Sequence, residues 1–300
     1  MAPALSPSGP TPSLGPASSP LGKASDDPDL SPKEFGRIAR IIRDEAGIHL
    51  GDAKTSLVYS RLVKRLRAVG LTSFASYCDL VSSAAGTAEL QKMVEALTTN
   101  YTFFLREPHH FEHLRREVLP GLLAEAARGR RVRIWSAGCS MGHETYSIAL
   151  SILAVAPDCG RHDVKILATD IDRNVLATAR AGLYDEATLA VLSPADRQLG
   201  FLPPNEDGLF QVRPELRSLV TFRELNLLDE WPMNGQFDIV FFRNVAIYFD
   251  QPLRESLWSR MGQHIRPGGW LYAGHSERLT GPAAKLFTHE ATTTYRRLPA

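Results

Sequence analysis

Thirteen residues near the middle of the chain, Val132-Arg-Ile-Trp-Ser-Ala-Gly-Cys-Ser-Met-Gly-His-Glu144, constrain the fold more than any other stretch. A short apolar strand runs into a glycine-bracketed turn and then into a helix over Thr145 to Ala154. The next apolar run, Val164-Lys-Ile-Leu-Ala-Thr, closes on a carboxylate, Asp170. This order is the nucleoside-binding half-unit of α/β folds. Gly138 and Gly142 permit a tight turn and a close approach to a ligand, and a carboxylate at the tip of the second strand accepts both hydroxyls of a ribose. The pattern points to a ligand containing adenosine.

From Val132 onward, strand and helix patterns alternate: Val132 to Trp135, Val164 to Thr169, a helix Arg173 to Ala181, Ile239 to Phe242, a helix Pro252 to Ile265, and Trp270 to Ala273. Alternation predicts a parallel sheet with crossover helices. Leu209 to Val212 and Leu219 to Leu225 are further strand candidates, and the stretch 197–217 reads as a small β insertion. Upstream, residues 1–30 are dominated by Pro, Ser, Gly and Ala and read as a disordered tail. Ser31-Pro32-Lys33-Glu34 has the form of a capping box, and Phe35, Ile38, Ile41 and Ile42 mark one helical face. A second helix, from about Lys54 to Val69, is read with Leu57, Leu62, Leu66 and Val69 inward and Arg61, Lys64, Arg65 and Arg67 outward. Helical patterns continue over Phe74 to Val81 and Glu89 to Leu97. The expected organisation is a tail (1–30), a small all-helical domain (31–97), a linker with an interdomain helix (98–131) and a Rossmann-like α/β domain with its β insertion (132–300).

Composition narrows the function. A formal net charge of +1 disfavours nucleic acid as a partner. Three cysteines, Cys78, Cys139 and Cys159, at unrelated spacings argue for a reducing compartment. There is neither a membrane-span pattern nor a secretory signal, so a cytoplasmic protein that does not insert into membranes is expected.

Gly138-Cys-Ser-Met-Gly142 also matches G-x-S-x-G, the nucleophile elbow of α/β-hydrolases, with Asp250 and His275 following Ser140 in the hydrolase order. Against this, everything upstream of Val132 reads as helix and no glycine-rich oxyanion loop precedes it. The dinucleotide fingerprint fails at Ser140, and a plain βα turn remains open. Four further constellations favour a ligand site. Phe237-Asp-Ile-Val-Phe-Phe-Arg243-Asn244 is a buried strand ending in polar residues where open α/β sheets bind ligands. Tyr248 follows Asn244 by four residues, so both face one cleft if Val245 to Phe249 is helical. Asn226-Leu227 closes the preceding strand. Asn100-Tyr-Thr102-Phe-Phe-Leu-Arg106 lies at the domain junction. His109-His110-x-x-His113 reads as surface or packing histidines, and no metal is expected.

Taken together, Thr99 to Phe111, Trp135 to Ala149, Ala168-Thr-Asp-Ile-Asp172, Phe241 to Asp250 and Pro267 to Glu277 resemble the motif series of the CheR family, the chemotaxis receptor methyltransferases that use S-adenosylmethionine. The blocks are long and collinear, and the resemblance covers about residues 31–298. It implies an S-adenosylmethionine-dependent protein-glutamate O-methyltransferase fold and activity, with S-adenosylhomocysteine as product. The implied partner is the cytoplasmic helical region of chemoreceptors, docked through the basic helix of Arg61, Lys64, Arg65 and Arg67; a monomer is expected. By resemblance, Asn100, Thr102 and Arg106 contact the methionyl end of the cofactor, Glu144 its amino group and Asp170 its ribose. Asn226, Leu227 and Asn244 line the adenosine pocket, with Arg243 beside them. Arg106 and Tyr248 are assigned to chemistry, the first orienting the attacking glutamate and the second donating near the methyl group. A cofactor-sensing adaptor that has lost transfer is the rival that intact Arg106 and Tyr248 count against.

The chain departs from the family pattern at His143, where a second acid is usual, and at Thr145, where proline is usual. The tripeptide Phe104-Leu105-Arg106 varies the usual paired phenylalanines. The loop between Phe201 and Gly208 is shorter than in members that dock on a receptor's C-terminal peptide, so peptide-independent docking is expected.

Overall fold

The capping box at Ser31 forms: Glu34 N donates to Ser31 Oγ at 3.3 Å, and Ser31 N donates to Glu34 Oε2 at 2.8 Å. Two otherwise unpaired donors at the start of helix α1 (Pro32–Ala46) are thereby satisfied. The structure, a computed structural model, describes residues 28–299; residues 1–27 of the segment read as a tail lie outside the described residues. Helices α2 (Thr55–Ala68), α3 (Phe74–Val81) and α4 (Thr87–Leu97) follow. Ile38, Ile42, Leu62, Leu66, Phe74 and Met93 from these four helices meet in one apolar cluster.

Two sequence expectations for α2 change. Leu57 is exposed, and the apolar stripe runs instead through Val58, Leu62, Val63 and Leu66, which fall on one face at helical spacing. The basic face is also not simply outward. Arg65 holds the buried Glu89 with two bonds of 3.0 and 2.6 Å, and Tyr77 donates to the same carboxylate at 2.9 Å. Arg61 donates to the carbonyls of Ala96, Leu97 and Thr98 at the end of α4, the favourable placement for a cation at a helix C-terminus. Arg61 and Arg65 therefore hold the helical domain together, while Lys64 and Arg67 are exposed.

Helix α5 (Pro108–His113), a π turn over Leu114–Val118 and α6 (Leu119–Ala127) lead into β1 (Val132–Ala137), α7 (His143–Val155), β2 (Val164–Asp170) and α8 (Arg173–Ala181). Next come β3 (Leu183–Tyr184), α9 (Glu186–Leu189), α10 (Pro194–Gly200), β4 (Phe210–Gln211), α11 (Pro214–Leu219) and β5 (Val220–Glu224). The chain ends with β6 (Phe237–Phe242), α12 (Gln251–His264), β7 (Ile265–Ala273), β8 (Phe287–Ala291) and β9 (Thr294–Arg297). The main sheet has the order β5-β2-β1-β6-β7-β9-β8. Its first five strands are parallel, and β9 is antiparallel to both β7 and β8.

The β8–β9 hairpin has no counterpart in the sequence reading, because Thr288, His289 and Glu290 are exposed and give no apolar run. The insertion also differs in extent. Its strand β4 pairs with β3, well upstream of residue 197, and α11 rather than strand occupies 214–219.

The chain leaves β1 toward β2 and β5 and returns to β6 on the other side of β1. This reversal opens a crevice at the carboxyl ends of β1 and β6, where open α/β sheets take their ligands. Strand β6 is buried along its whole length, each large apolar side chain contributing on the order of 1.5–3 kcal/mol, so the residues at its end stand on a rigid base. Its one buried charge, Asp238, is paired by Arg130 and Arg266 and accepts from Arg133 N at 2.7 Å.

Candidate active site

The crevice is a cleft with an empty volume of about 1060 Å³, its open mouth included. Asn100, Thr102, Arg106, Glu144, Asp170, Asn226, Leu227, Arg243, Asn244 and Tyr248 all line it. The helical domain roofs it through Ala46 and Ile48. Several bonds fasten the roof. Asn226 Nδ2 donates to Glu45 O at 2.7 Å, His49 N donates to Tyr248 O at 2.8 Å, and Arg43 pairs with Asp250 at 2.5 Å.

Gly138 ends β1 at φ +82°, and a Cβ there would meet Val245 Cγ2 at 2.3 Å. A Cβ on Gly142, at φ +89°, would meet Ala179 Cβ at 2.9 Å. Both glycines turn the chain where a Cβ would strike the protein itself, and Gly138 also lines the cleft. Between them, Ser140 N donates to Asp170 Oδ2 at 2.8 Å, and Asp172 N donates to Oδ1 at 3.0 Å. Burial outweighs these two bonds and pushes the Asp170 carboxyl up to about 6. It is still ionised at neutral pH and retains lone pairs for further donors.

Residues 98–107 form a strap between the domains. Asp172, at the N-cap of α8, accepts from Asn100 Nδ2 at 2.8 Å and from Thr98 Oγ1 at 3.2 Å. Leu105 N donates to Ser147 Oγ at 3.0 Å, and the Tyr248 hydroxyl donates to Thr99 O at 3.2 Å. Arg106 Nη1 donates to Tyr101 O at 2.9 Å, which holds the guanidinium across the mouth.

Behind the strap lies Arg243, 4% exposed. Its guanidinium pairs with Glu144 Oε2 at 3.1 Å and Glu107 Oε2 at 3.3 Å, and it donates to Arg106 O. This buried cation, ringed by acceptors, ties Glu144 to the backbone of Arg106. Glu144 also accepts from Ser136 Oγ at 2.7 Å. Burial nonetheless raises its carboxyl above the usual range against the pull of Arg243. For Glu107 the balance is reversed: burial is overcome by Arg243, His275 N and Asn244, and the net shift is downward.

Asn244 adopts φ 59° and donates through Nδ2 to Glu107 Oε1 at 3.3 Å. Its backbone N–H is held by Glu277, the last residue of the Pro267 to Glu277 motif block. Glu277 is 2% exposed and accepts from Asn244 N at 2.9 Å, Gly274 N at 2.6 Å and Ile247 N at 3.2 Å. The carboxylate thus frames the turn from Asn244 through the 3-10 segment Ala246–Tyr248 that carries the phenol. Among the described residues, five non-glycine residues have positive φ, and four of them, Leu105, Glu107, Ser140 and Asn244, surround this cleft. Left-handed backbone at non-glycine positions costs energy and concentrates where geometry is over-determined for function.

The hydrolase alternative fails on partners. Asp250 caps α12 and pairs with Arg43, and the Ser140 hydroxyl donates to Asn100 O at 3.4 Å. His110 is buried, with Nε2 within 2.9 Å of Thr293 Oγ1, and His113 Nδ1 lies 2.9 Å from the Tyr272 hydroxyl. Glu107, His109 and His110 place donor atoms within 4.8 Å of one another, but Arg243 already pairs with that carboxylate and opposes a cation there. Asn226 lines the cleft with both ends of its amide already used, donating to Glu45 O and accepting from Leu228 N.

A model described as the CheR methyltransferase SAM-binding domain matches residues 100–296, and one described as the CheR methyltransferase all-alpha domain matches residues 33–98. The chain belongs to the CheR methyltransferase family. It is 51% identical over 258 residues to a probable chemotaxis protein methyltransferase of Rhizobium etli, covering 85% of this chain and 96% of the relative. Chemotaxis protein methyltransferases of Salmonella typhimurium and Escherichia coli are 44% and 42% identical, covering 84% and 89% of this chain and 85% and 91% of their own lengths. Among solved structures, the glycopeptide N-methyltransferase MtfA complexed with S-adenosyl-L-methionine aligns over 61% of this chain and 59% of its own, at 19% identity and a TM-score of 0.30. By the two family models and the chemotaxis relatives, this CheR-family chain is an S-adenosylmethionine-dependent methyltransferase of the chemotaxis type. No helix among its described residues is long and apolar enough to cross a membrane.

Proposed function

We propose that the chain transfers the methyl group of S-adenosylmethionine to glutamate side chains on the cytoplasmic helices of chemoreceptors, leaving a methyl ester and S-adenosylhomocysteine. The observation that carries this reading is the make-up of the cleft mouth, which offers a guanidinium, Arg106, and a phenol, Tyr248, but no free base. Both lining carboxylates are committed, Glu144 to Ser136 and Arg243, and Asp170 to two backbone N–H groups. An alcohol or amine substrate needs a base, whereas a carboxylate is already a nucleophile at neutral pH. Bound S-adenosylmethionine supplies a sulfonium-activated methyl carbon; the glutamate oxygen bonds to that carbon as the carbon–sulfur bond breaks, its electron pair remaining on sulfur.

The residues contribute mainly position. Asp170 accepts the ribose hydroxyls, Glu144 faces the cofactor's ammonium, and Asn100 and Thr102 hold the methionyl end. Asn226, Leu227 and Asn244 enclose the adenosine. Arg106 orients the incoming carboxylate, Tyr248 donates beside the methyl group, and Arg243 acts through Glu144 and Arg106. Strands β3 and β4 pair over two residues each, a short edge for a receptor tail to extend, which supports docking without that tail. Incubating the chain with methyl-labelled cofactor and a receptor signalling fragment, then treating the fragment with base, tests the reading. Volatile labelled methanol is expected. Base-stable label would identify another acceptor group and overturn it.

A further inference from the structure

Three of the seven large apolar side chains that are exposed among the described residues belong to segments at the cleft mouth: Tyr101 at 74%, Phe103 at 38% and Ile247 at 44%. Tyr101 and Phe103 lie in the strap and line the cleft; Ile247 immediately precedes Tyr248. The two aromatic rings stand edge to face with centroids 6.0 Å apart, and the Arg106 guanidinium lies 5.9 Å from the Tyr101 ring. Exposing large apolar groups beside a ligand cleft is a hallmark of an interaction surface. Cations border it. Arg106 lies next to Tyr101, and Lys54 Nζ is 6.0 Å from the Tyr248 ring.

We infer that Tyr101, Phe103 and Ile247 form a substrate-reading lip that receives an apolar side chain one helical turn from the target glutamate on an acidic amphipathic helix. This rests on the functional reading above. On a helix, residues three or four apart lie on one face and about one 5.4 Å turn apart. When the target carboxylate passes Arg106 into the cleft, the neighbouring turn comes to rest over the rings. The apolar lip and its cations match the two faces of such a helix, apolar and acidic, and this is the helix-in-groove mode of recognition. Tyr101 and Phe103 thus determine which glutamates are accepted, and the cofactor end of the cleft is not involved.

Methyl transfer to a receptor signalling fragment is measured against fragment concentration for the wild type and for a Tyr101→Ser, Phe103→Ser double variant. S-adenosylhomocysteine affinity is measured alongside. The expected result is a rise of about tenfold in KM for the fragment, with cofactor affinity within twofold of the wild type. Replacing the apolar fragment residue one turn from the glutamate by aspartate should raise KM for the wild type and have little added effect on the double variant. An unchanged KM in the double variant, or an equal loss of cofactor affinity, overturns the lip. Absence of methyl transfer by the wild type itself overturns the functional reading and the lip with it.

Discussion

Replacing Glu277 by glutamine changes one atom of a buried side chain and should disable a turn that carries two lining residues. The carboxylate accepts three backbone N–H bonds, from Asn244, Gly274 and Ile247, at 2.9, 2.6 and 3.2 Å. A glutamine keeps its carbonyl on the side of Asn244 and Gly274, where two donors converge on Oε2, and turns its NH2 toward Ile247 N–H. One bond to a charged acceptor is lost and two donors face each other, at a cost of about 2–3 kcal/mol. Removing a buried charge whose protonated form burial already favours gives part of this back, leaving a net loss of about 2 kcal/mol. If that loss falls on the local frame of Asn244 and Tyr248, turnover drops by about 10–30-fold. The melting temperature falls by about 4–8 °C, the response of a domain of 150–250 residues. Labelled methyl transfer, S-adenosylhomocysteine calorimetry and thermal melts report the three quantities. A melting temperature lowered as calculated with turnover intact would refute the idea that Glu277 frames the site.

Arg106→Ala and Tyr248→Phe should each lower methyl transfer at least tenfold, because each removes a donor at the mouth. Their melting temperatures should change by only a few degrees, since in the free protein each side chain makes one hydrogen bond to the backbone; normal turnover in either variant removes that residue from the mechanism. His143 is packed against the rings of Phe104 and Tyr184 at 4.8 and 5.0 Å, and burial pushes its pKa down to about 4. The unfolded chain, titrating near 6.5, binds the extra proton between those values. Stability from a neutral His143 is therefore complete above pH 6.5 and is lost as pH falls toward 4. Asp170 runs the other way, its burial penalty present above about pH 6 and relieved below it, so only the difference between variant and wild type isolates the histidine. Urea midpoints at pH 6.5 and 5.0 should show His143→Phe losing about 1.5 kcal/mol less than the wild type over that interval, and equal losses would contradict the assignment.

The sequence made the ligand cleft legible because its parts lie at chain features with strong local signals. A glycine turn after an apolar run, an acid closing the next run and a polar pair ending the most apolar strand each mark a strand tip, and the sheet order brings those tips together. What escaped were roles set by partners far along the chain. Arg61 and Arg65 look like a solvated helix face until the end of α4 and Glu89 are placed beside them. Glu277 merely ends a motif block until Asn244, 33 residues away, folds back onto it. Asp172, inside a quoted motif, gives no sign of tying Asn100 to the sheet until the strap is closed over it. The β8–β9 hairpin was invisible because it exposes most of one strand, so no apolar period marks it. Gly138 was legible as a turn at the cleft, but its close neighbour Val245, more than a hundred residues on, was not.

Calorimetric titration of wild type and Asp170→Ala with S-adenosylhomocysteine at pH 7.5, where Asp170 is ionised, tests most directly whether the strand tips form the cofactor site. One bound molecule per wild-type chain and binding weakened by about 10–100-fold in the variant are predicted, the loss of one to two hydrogen bonds to a charged acceptor. Equal affinity in the two proteins, or no binding by the wild type, would contradict the placement of the cofactor in this cleft.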